Sequence, residues 1–79
     1  PMLFMAESWE ATGREVEYFL RHLRTKIEKE RRIIIGLINI DHEKRLVPPS
    51  IADWQNWQEA VIRLNDPFIV IEPVTGAPK

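Results

Sequence analysis

The chain has 79 residues, with 11 Lys and Arg against 12 Asp and Glu, and no Cys. The length allows one domain, and the lack of Cys excludes a disulfide framework, a thiolate metal site and a cysteine nucleophile. The balanced charge disfavours nucleic-acid binding, and no apolar run approaches the ~20 residues that span a membrane. We expect a single cytoplasmic domain over residues 1–73, a flexible C-terminal tail over 74–79, and no signal peptide.

The first half of the chain predicts a strand followed by an amphipathic helix. The apolar run 2–6 is long enough for a strand and too short for a helix. Thr12 and Glu15 form a capping box, which predicts a helix start at residue 13. An apolar face follows over residues 13–30, with the spacing of a helix. Its members are Val16, Leu20, Leu23 and Ile27, widened by Phe19.

The second half predicts two further strands, a helix and a last strand. Residues 33–40 are apolar on both alternating faces, which is typical of a strand buried on both sides. Residues 45–47 predict either a short strand that two prolines stop or only a loop. Ser50 is a good N-cap for a helix over about 50–64, and an apolar run at 68–71 predicts the last strand.

The resulting order, β-α-β-β-α-β, favours an α+β fold, a ferredoxin-like sandwich with two helices on one face of a small sheet. The other face then exposes one of the two apolar rows of residues 33–40, and a homodimer is the simplest cover. We expect Gly36 to allow a partner to approach closely. The predicted interface residues are Trp9, Ile34, Ile35, Gly36 and Ile38.

The aromatic residues have two interpretations. Trp54 and Trp57 lie on one helical face with Val61 and Leu64, which favours packing in the core over stacking on a planar ligand. Trp9 fits no helical or strand pattern. It is therefore the better candidate for a ligand or interface contact.

The stretch 14–32 carries seven Lys and Arg and four Glu, a net charge of +3. The glutamates interrupt any continuous basic face, so a solvated helix is favoured over nucleic-acid binding. The weaker alternative would use Arg21, Arg24, Arg31 and Arg32. RNA-recognition domains share this element order, but their aromatic signature on the third strand has no counterpart in residues 44–48.

No side-chain pattern indicates a metal site or a nucleophile. His22 and His42 lack partners at ligand spacing, and His42 belongs to a polar turn. Ser50 already caps a helix, and Ser8 has no adjacent base. We therefore expect no metal and no cofactor.

Residue 1 is proline, and it precedes an apolar strand, a helix and a second apolar strand. This resembles the tautomerase superfamily, small βαβ proteins whose N-terminal proline amine acts as general base. The resemblance implies Pro1 as the base and Arg14, at the helix start, as a substrate-binding residue. The family's Gly-rich segment after the second strand is replaced here by residues 41–49. We favour the alternative that Pro1 remains from a cloning tag, with Met2 as the native start.

The sequence therefore favours a small non-enzymatic binding or regulatory module. We expect it to self-associate and to bind a ligand or protein partner through its sheet face or a dimer groove. The alternative is a small proton-transfer enzyme of the isomerase or tautomerase kind with Pro1 as base. No membrane partner is expected.

Overall fold

The structure is a computed structural model that describes residues 1–8 and 11–74. Trp9 and the predicted tail beyond residue 74 lie outside the described residues. The predicted order β-α-β-β-α-β is confirmed. Its elements are β1 (Met2–Glu7), α1 (Gly13–Thr25), β2 (Ile33–Ile40), β3 (Leu46–Val47), α2 (Ile51–Leu64) and β4 (Ile69–Pro73).

Strand β2 lies at the centre of a mixed four-stranded sheet. Its first residue, Ile33, is opposite Met2 of β1 and Ile69 of β4, and both pairings are parallel. The two-residue β3 pairs antiparallel with the carboxyl end of β2. The ferredoxin-like strand order is not confirmed, because that fold splits each βαβ unit with an intervening strand. Here β1 and β2 are direct neighbours, and the prolines after β3 keep that strand too short for a central position.

Both helices cover the same face of this sheet. Alternate residues of β2 and the inward positions of the helices form one buried cluster. Its members are Val16, Leu20, Ile33, Ile35, Leu37, Trp57, Ala60 and Ile69. The shortest dimension of the molecule, 16 Å, accommodates one sheet layer and one helix layer. The fold is therefore a two-layer α+β arrangement.

Helix α1 begins as predicted and ends five residues earlier than predicted. The Thr12 hydroxyl accepts from the Glu15 N–H at 3.1 Å, and the Glu15 carboxylate accepts from the Thr12 N–H at 2.8 Å. At the other end, the Arg24 guanidinium donates to the backbone carbonyls of Glu28 and Arg31, at 2.8 and 2.9 Å. These contacts hold the segment after Thr25 as a loop, so the predicted helix over 13–30 is too long.

Helix α2 has the predicted N-terminus. The Ser50 hydroxyl accepts from the Asp53 N–H at 3.1 Å, and the Asp53 carboxylate lies in the first turn, where the helix dipole favours a negative charge. The helix ends at Asn65, which adopts the left-handed conformation with φ 58°. Asparagine tolerates this conformation better than most residues, and it ends helices in place of glycine.

Glu17 joins the two helices. Its carboxylate accepts from Arg21 of α1 at 2.8 Å and from Arg63 of α2 at 3.1 Å. A Cβ on Gly13 would lie 2.7 Å from the Arg63 guanidinium, so the glycine leaves room for this contact. The hydrogen bonds from Arg21, and then those from Arg63, lower the pKa of Glu17 below its usual value.

We expect Glu17→Gln to destabilise the fold at pH 7. A carboxyl group with a lowered pKa in the folded state stabilises the protein above its unfolded pKa, and this contribution is lost as the pH falls through the folded pKa. The difference in free energy of unfolding between wild type and variant should therefore disappear near pH 2. Urea unfolding at both pH values measures it. Glu59→Gln, an exposed change on α2, is the control, and an equal effect of both variants would contradict the role of Glu17.

Candidate functional site

The sheet face opposite the helices is apolar and uncovered by the described residues. Alternation places Leu3, Met5, Ile34, Ile38 and Val70 on it. The exposed fractions of Leu3 and Met5 are 73% and 61%. Leu3, Ile34 and Val70 are in register across the three parallel strands, so they form one continuous apolar row. Parallel strands are almost always covered on both faces, which makes this surface, here called the open face, a candidate interaction site.

The predicted interface residues divide between the two faces. Ile34, Gly36 and Ile38 belong to the open face, whereas Ile35 is fully buried beneath the helices and cannot contact a partner there. A Cβ on Gly36 would lie 3.0 Å from both Met5 Sδ and Val74 Cγ2. The side chains of Met5 and Val74 therefore meet above the glycine, and a partner would contact them.

Charged residues lie at the two ends of the open face. Glu72 lies near the carboxyl end of β4, and Glu7 ends β1. Arg32 precedes β2, and its carbonyl accepts from the Met2 N–H at 2.9 Å. Because Arg32 stands two residues before Ile34 in extended chain, alternation places it on the same face. The open face therefore carries a cation at its amino end and carboxylates at its carboxyl end.

The outer edge of β1 presents unpaired backbone groups. The N–H groups of Met2 and Ser8 donate to carbonyls at either end of β2. In a parallel ladder, alternate residues bond to the same neighbour, so the even-numbered residues of β1 face β2. Leu3 and Met5 therefore direct their N–H and C=O groups outward, where they have no partner among the described residues.

The outer edge of β4 differs. The Phe68 carbonyl accepts from the Ile33 N–H of β2, and the Val74 N–H donates to the Leu37 carbonyl of β2. Even-numbered residues therefore again face the central strand. Ile71 and Pro73 face outward, and proline has no N–H to offer. Proline at such a position blocks the addition of a further strand, as in many edge strands. Of the two outer edges, that of β1 is the one without a proline.

An open cleft of about 560 Å³ lies beside the carboxyl half of β1. Its apolar lining comes from Met5, Ala6, Ala11, Val16, Phe19 and Trp57, and its charged lining from Glu7 and Glu15. Met5 belongs to the open face, whereas the helical residues lie on the other side of the sheet. The cleft therefore lies between the carboxyl half of β1 and the helices.

The tryptophans that were predicted to pack in the core do so. Trp54 is half-buried against the core, and Trp57 is 3% exposed. The Trp57 ring packs against Phe19, edge to face, with 6.0 Å between centroids. Trp57 also lines the cleft, and its indole Nε1–H has no acceptor among the described residues.

A polar chain that the sequence analysis did not assign joins the carboxyl ends of β1 and β2 to α2. The Ser8 hydroxyl donates to Asn39 Oδ1 at 3.0 Å, and Asn39 Nδ2 donates to Asp53 Oδ2 at 3.4 Å. Ser8 is fully buried. The signal in the sequence that could have indicated this chain is a polar residue in or just after an apolar strand. These residues are Ser8 after β1 and Asn39 in β2. Since buried polar groups require partners, this chain fixes how the strand ends and helix meet.

We expect Asn39→Ala to lower the free energy of unfolding by about 1–3 kcal/mol, because it leaves the buried Ser8 hydroxyl without its acceptor. Urea denaturation measures this loss. His42→Ala, in the exposed turn after β2, is the control and should stay close to wild type. An Asn39→Ala protein as stable as the control would show that the chain contributes nothing to the fold.

The residues of the enzymatic alternative are far apart. Pro1 is at the amino end of β1, and Arg14 is in the first turn of α1, which begins beyond the carboxyl end of that strand. The length of β1 separates them by roughly 20 Å. His22 and His42 are both exposed. Within the described ranges, no three His, Cys, Asp or Glu side chains come close enough together to hold a metal ion.

The arginines of the nucleic-acid alternative are mostly engaged within the chain. Arg24 contacts Asp66 at 2.7 Å, and both side chains are largely buried. Arg21 binds Glu17, and Arg31 binds a glutamate three residues earlier at 2.9 Å. Arg32 lies apart from these at the amino end of the sheet. No structural observation gathers the four into one basic surface.

Neither helix of the described chain is long and apolar enough to cross a membrane. No protein-family model matches this chain, and no curated protein or solved structure matches it significantly. Its function is therefore inferred from its own surfaces.

Proposed function

We propose that this protein is a non-enzymatic interaction module that self-associates through its open face. The apolar row of Leu3, Ile34 and Val70 carries the proposal. It crosses three parallel strands, which normally have both faces covered. A second copy supplies a surface of the same shape and polarity around a two-fold axis, the commonest symmetry of homodimers.

The energetic gain comes from the apolar side chains that are most exposed. Full burial of a Leu or Met side chain contributes roughly 1.5–3 kcal/mol. Leu3 and Met5 retain most of their surface in the isolated chain. In a two-fold dimer each residue is buried twice, once in each copy, so one substitution removes two contributions.

Charge complementarity selects how the two copies align. When the strands of the two open faces run in opposite directions, Glu72 of one copy lies near the partner's Arg32. When they run in the same direction, like charges are brought together at each end. Like charges in contact are unfavourable, so the opposed arrangement is the expected one.

We expect a dimer at micromolar concentration, and we expect Leu3→Lys to weaken it by about a hundredfold, since two buried leucines are lost at once. Analytical ultracentrifugation over a concentration series measures the dissociation constant. Tyr18→Lys is the matched control, because Tyr18 is as exposed as Leu3 but lies on α1. A wild-type protein that stays a monomer of 9.3 kDa at high concentration would sink the proposal.

A charge swap tests the alignment. Arg32→Glu and Glu72→Arg should each weaken the dimer several-fold at low salt, since an exposed ion pair contributes about 0.2–1 kcal/mol and occurs twice. The double variant should regain the wild-type dissociation constant, because it restores opposite charges at both ends. A double variant weaker than either single variant would contradict the opposed alignment while leaving the open face as the interface.

A further inference from the structure

We infer that the outer edge of β1, with the cleft beside it, binds an extended segment of a partner protein as an added strand. The segment that fits is apolar and flanked by Lys or Arg. This goes beyond self-association and does not depend on it, because the open face uses side chains whereas this site uses the backbone edge and the cleft.

The edge supplies the backbone contacts. Leu3 and Met5 each direct one N–H and one C=O group outward, and none of these groups has a partner among the described residues. Strand addition satisfies such groups and provides affinity without regard to sequence. The outer edge of β4 is less suited to this mode, because Pro73 at its end lacks an N–H.

The cleft supplies the side-chain specificity. The side chains of an added strand alternate, so every second one points towards the helices. There it meets the apolar lining formed by Ala6, Ala11, Val16, Phe19 and Trp57. An apolar side chain of moderate size fits a cleft of about 560 Å³ that opens at the strand edge.

Trp57 lines the cleft and carries a buried polar group. Its side chain is almost fully buried and lines the cleft, yet its indole N–H has no acceptor within the described chain. Buried N–H groups in folded proteins nearly always have a partner. Because the Nε1 atom is itself buried, a ligand in the cleft reaches it only if the Trp57 ring turns.

The charge of the cleft lining indicates which residues should flank the bound segment. The charged residues that line the cleft, Glu7 and Glu15, are both acidic. β1 itself carries no Lys or Arg, so a second copy of β1 supplies no side-chain cation to the acidic lining of the cleft. A partner strand with flanking cations is complementary instead.

The probe is the capped peptide Ac-Lys-Val-Leu-Val-Lys-NH2, titrated into the 15N-labelled protein. We expect the amide signals of Leu3 and Met5 and the indole signal of Trp57 to shift together, and the two amides to gain protection from hydrogen exchange. The peptide with Glu at both ends should bind at least about tenfold more weakly. The Val70→Lys variant alters the open face on β4 and leaves the edge of β1 unchanged, so it should still bind the peptide, which separates this result from that of the dimer.

Backbone methylation tests strand addition directly. Two further peptides are used. One carries N-methyl groups on its first and third residues, and the other carries them on its second and fourth residues. Each peptide therefore has one edge that cannot donate hydrogen bonds. A strand uses one edge to join a sheet, so one peptide should bind as before and the other about tenfold more weakly. Equal affinity of both would overturn the proposal.

A matched pair of variants tests the charge. Glu15→Gln preserves the capping box, because Gln replaces Glu in that motif, while it removes a charge from the cleft. It should weaken the Lys-flanked peptide several-fold, and Glu59→Gln on α2 should not. No binding of this peptide at millimolar concentration, or protection of Leu3 and Met5 that rises with protein concentration alone, would overturn the assignment to a partner strand.

Discussion

The parallel pairing of β2 along both of its edges is the constraint on which the other elements depend. Ile33 is aligned with the first residue of β1 and with the first residue of β4, so both outer strands start at the same level. Each parallel connection then requires a helical crossover, and α1 and α2 are those crossovers. The strand order progresses in one direction from β1 through β2 to β4, and right-handed crossovers therefore place both helices on one face.

The same pairing produces the open face. β2 has two apolar rows, and the helices can cover only the row that contains Ile33 and Ile35. The row that contains Ile34 and Ile38 is left half-buried by neighbouring strands, and Leu3 beside it is mostly exposed. An apolar residue on the uncovered side of a strand adds nothing to this core. Apolar residues stand on this uncovered side in all three parallel strands. Contact with another surface explains them better than folding alone.

Local signals in the sequence predicted the elements well. The bounds of β2 and both N-caps follow from residues that act within a few positions of each other, such as Ser50 and Asp53. Strand order is a long-range property, and a βαβ pattern leaves open which strands become neighbours. The end of α1 was missed for a similar reason, because Arg24 ends the helix through carbonyls in the following loop.

The candidate surfaces were predictable only in part. Both rows of β2 are apolar, so the sequence leaves open that Ile34 faces out and Ile35 faces in. This depends on where α1 and α2 pack. The buried chain from Ser8 to Asp53 was missed because its members are 31 and 14 residues apart along the sequence.

The position of Pro73 has the clearest functional consequence of these long-range features. Residues 72 and 74 face β2 and residue 73 faces outward, so the proline removes an N–H that the sheet does not use. A proline at position 72 would instead remove a hydrogen bond to β2, and the outer edge of β4 would keep its N–H group. The two outer edges of the sheet therefore differ, because an outward N–H is missing at the end of β4. In the strand addition that we propose at β1, the edge of β4 disfavours a further strand, so the proposed complex provides no repeating site for fibre growth.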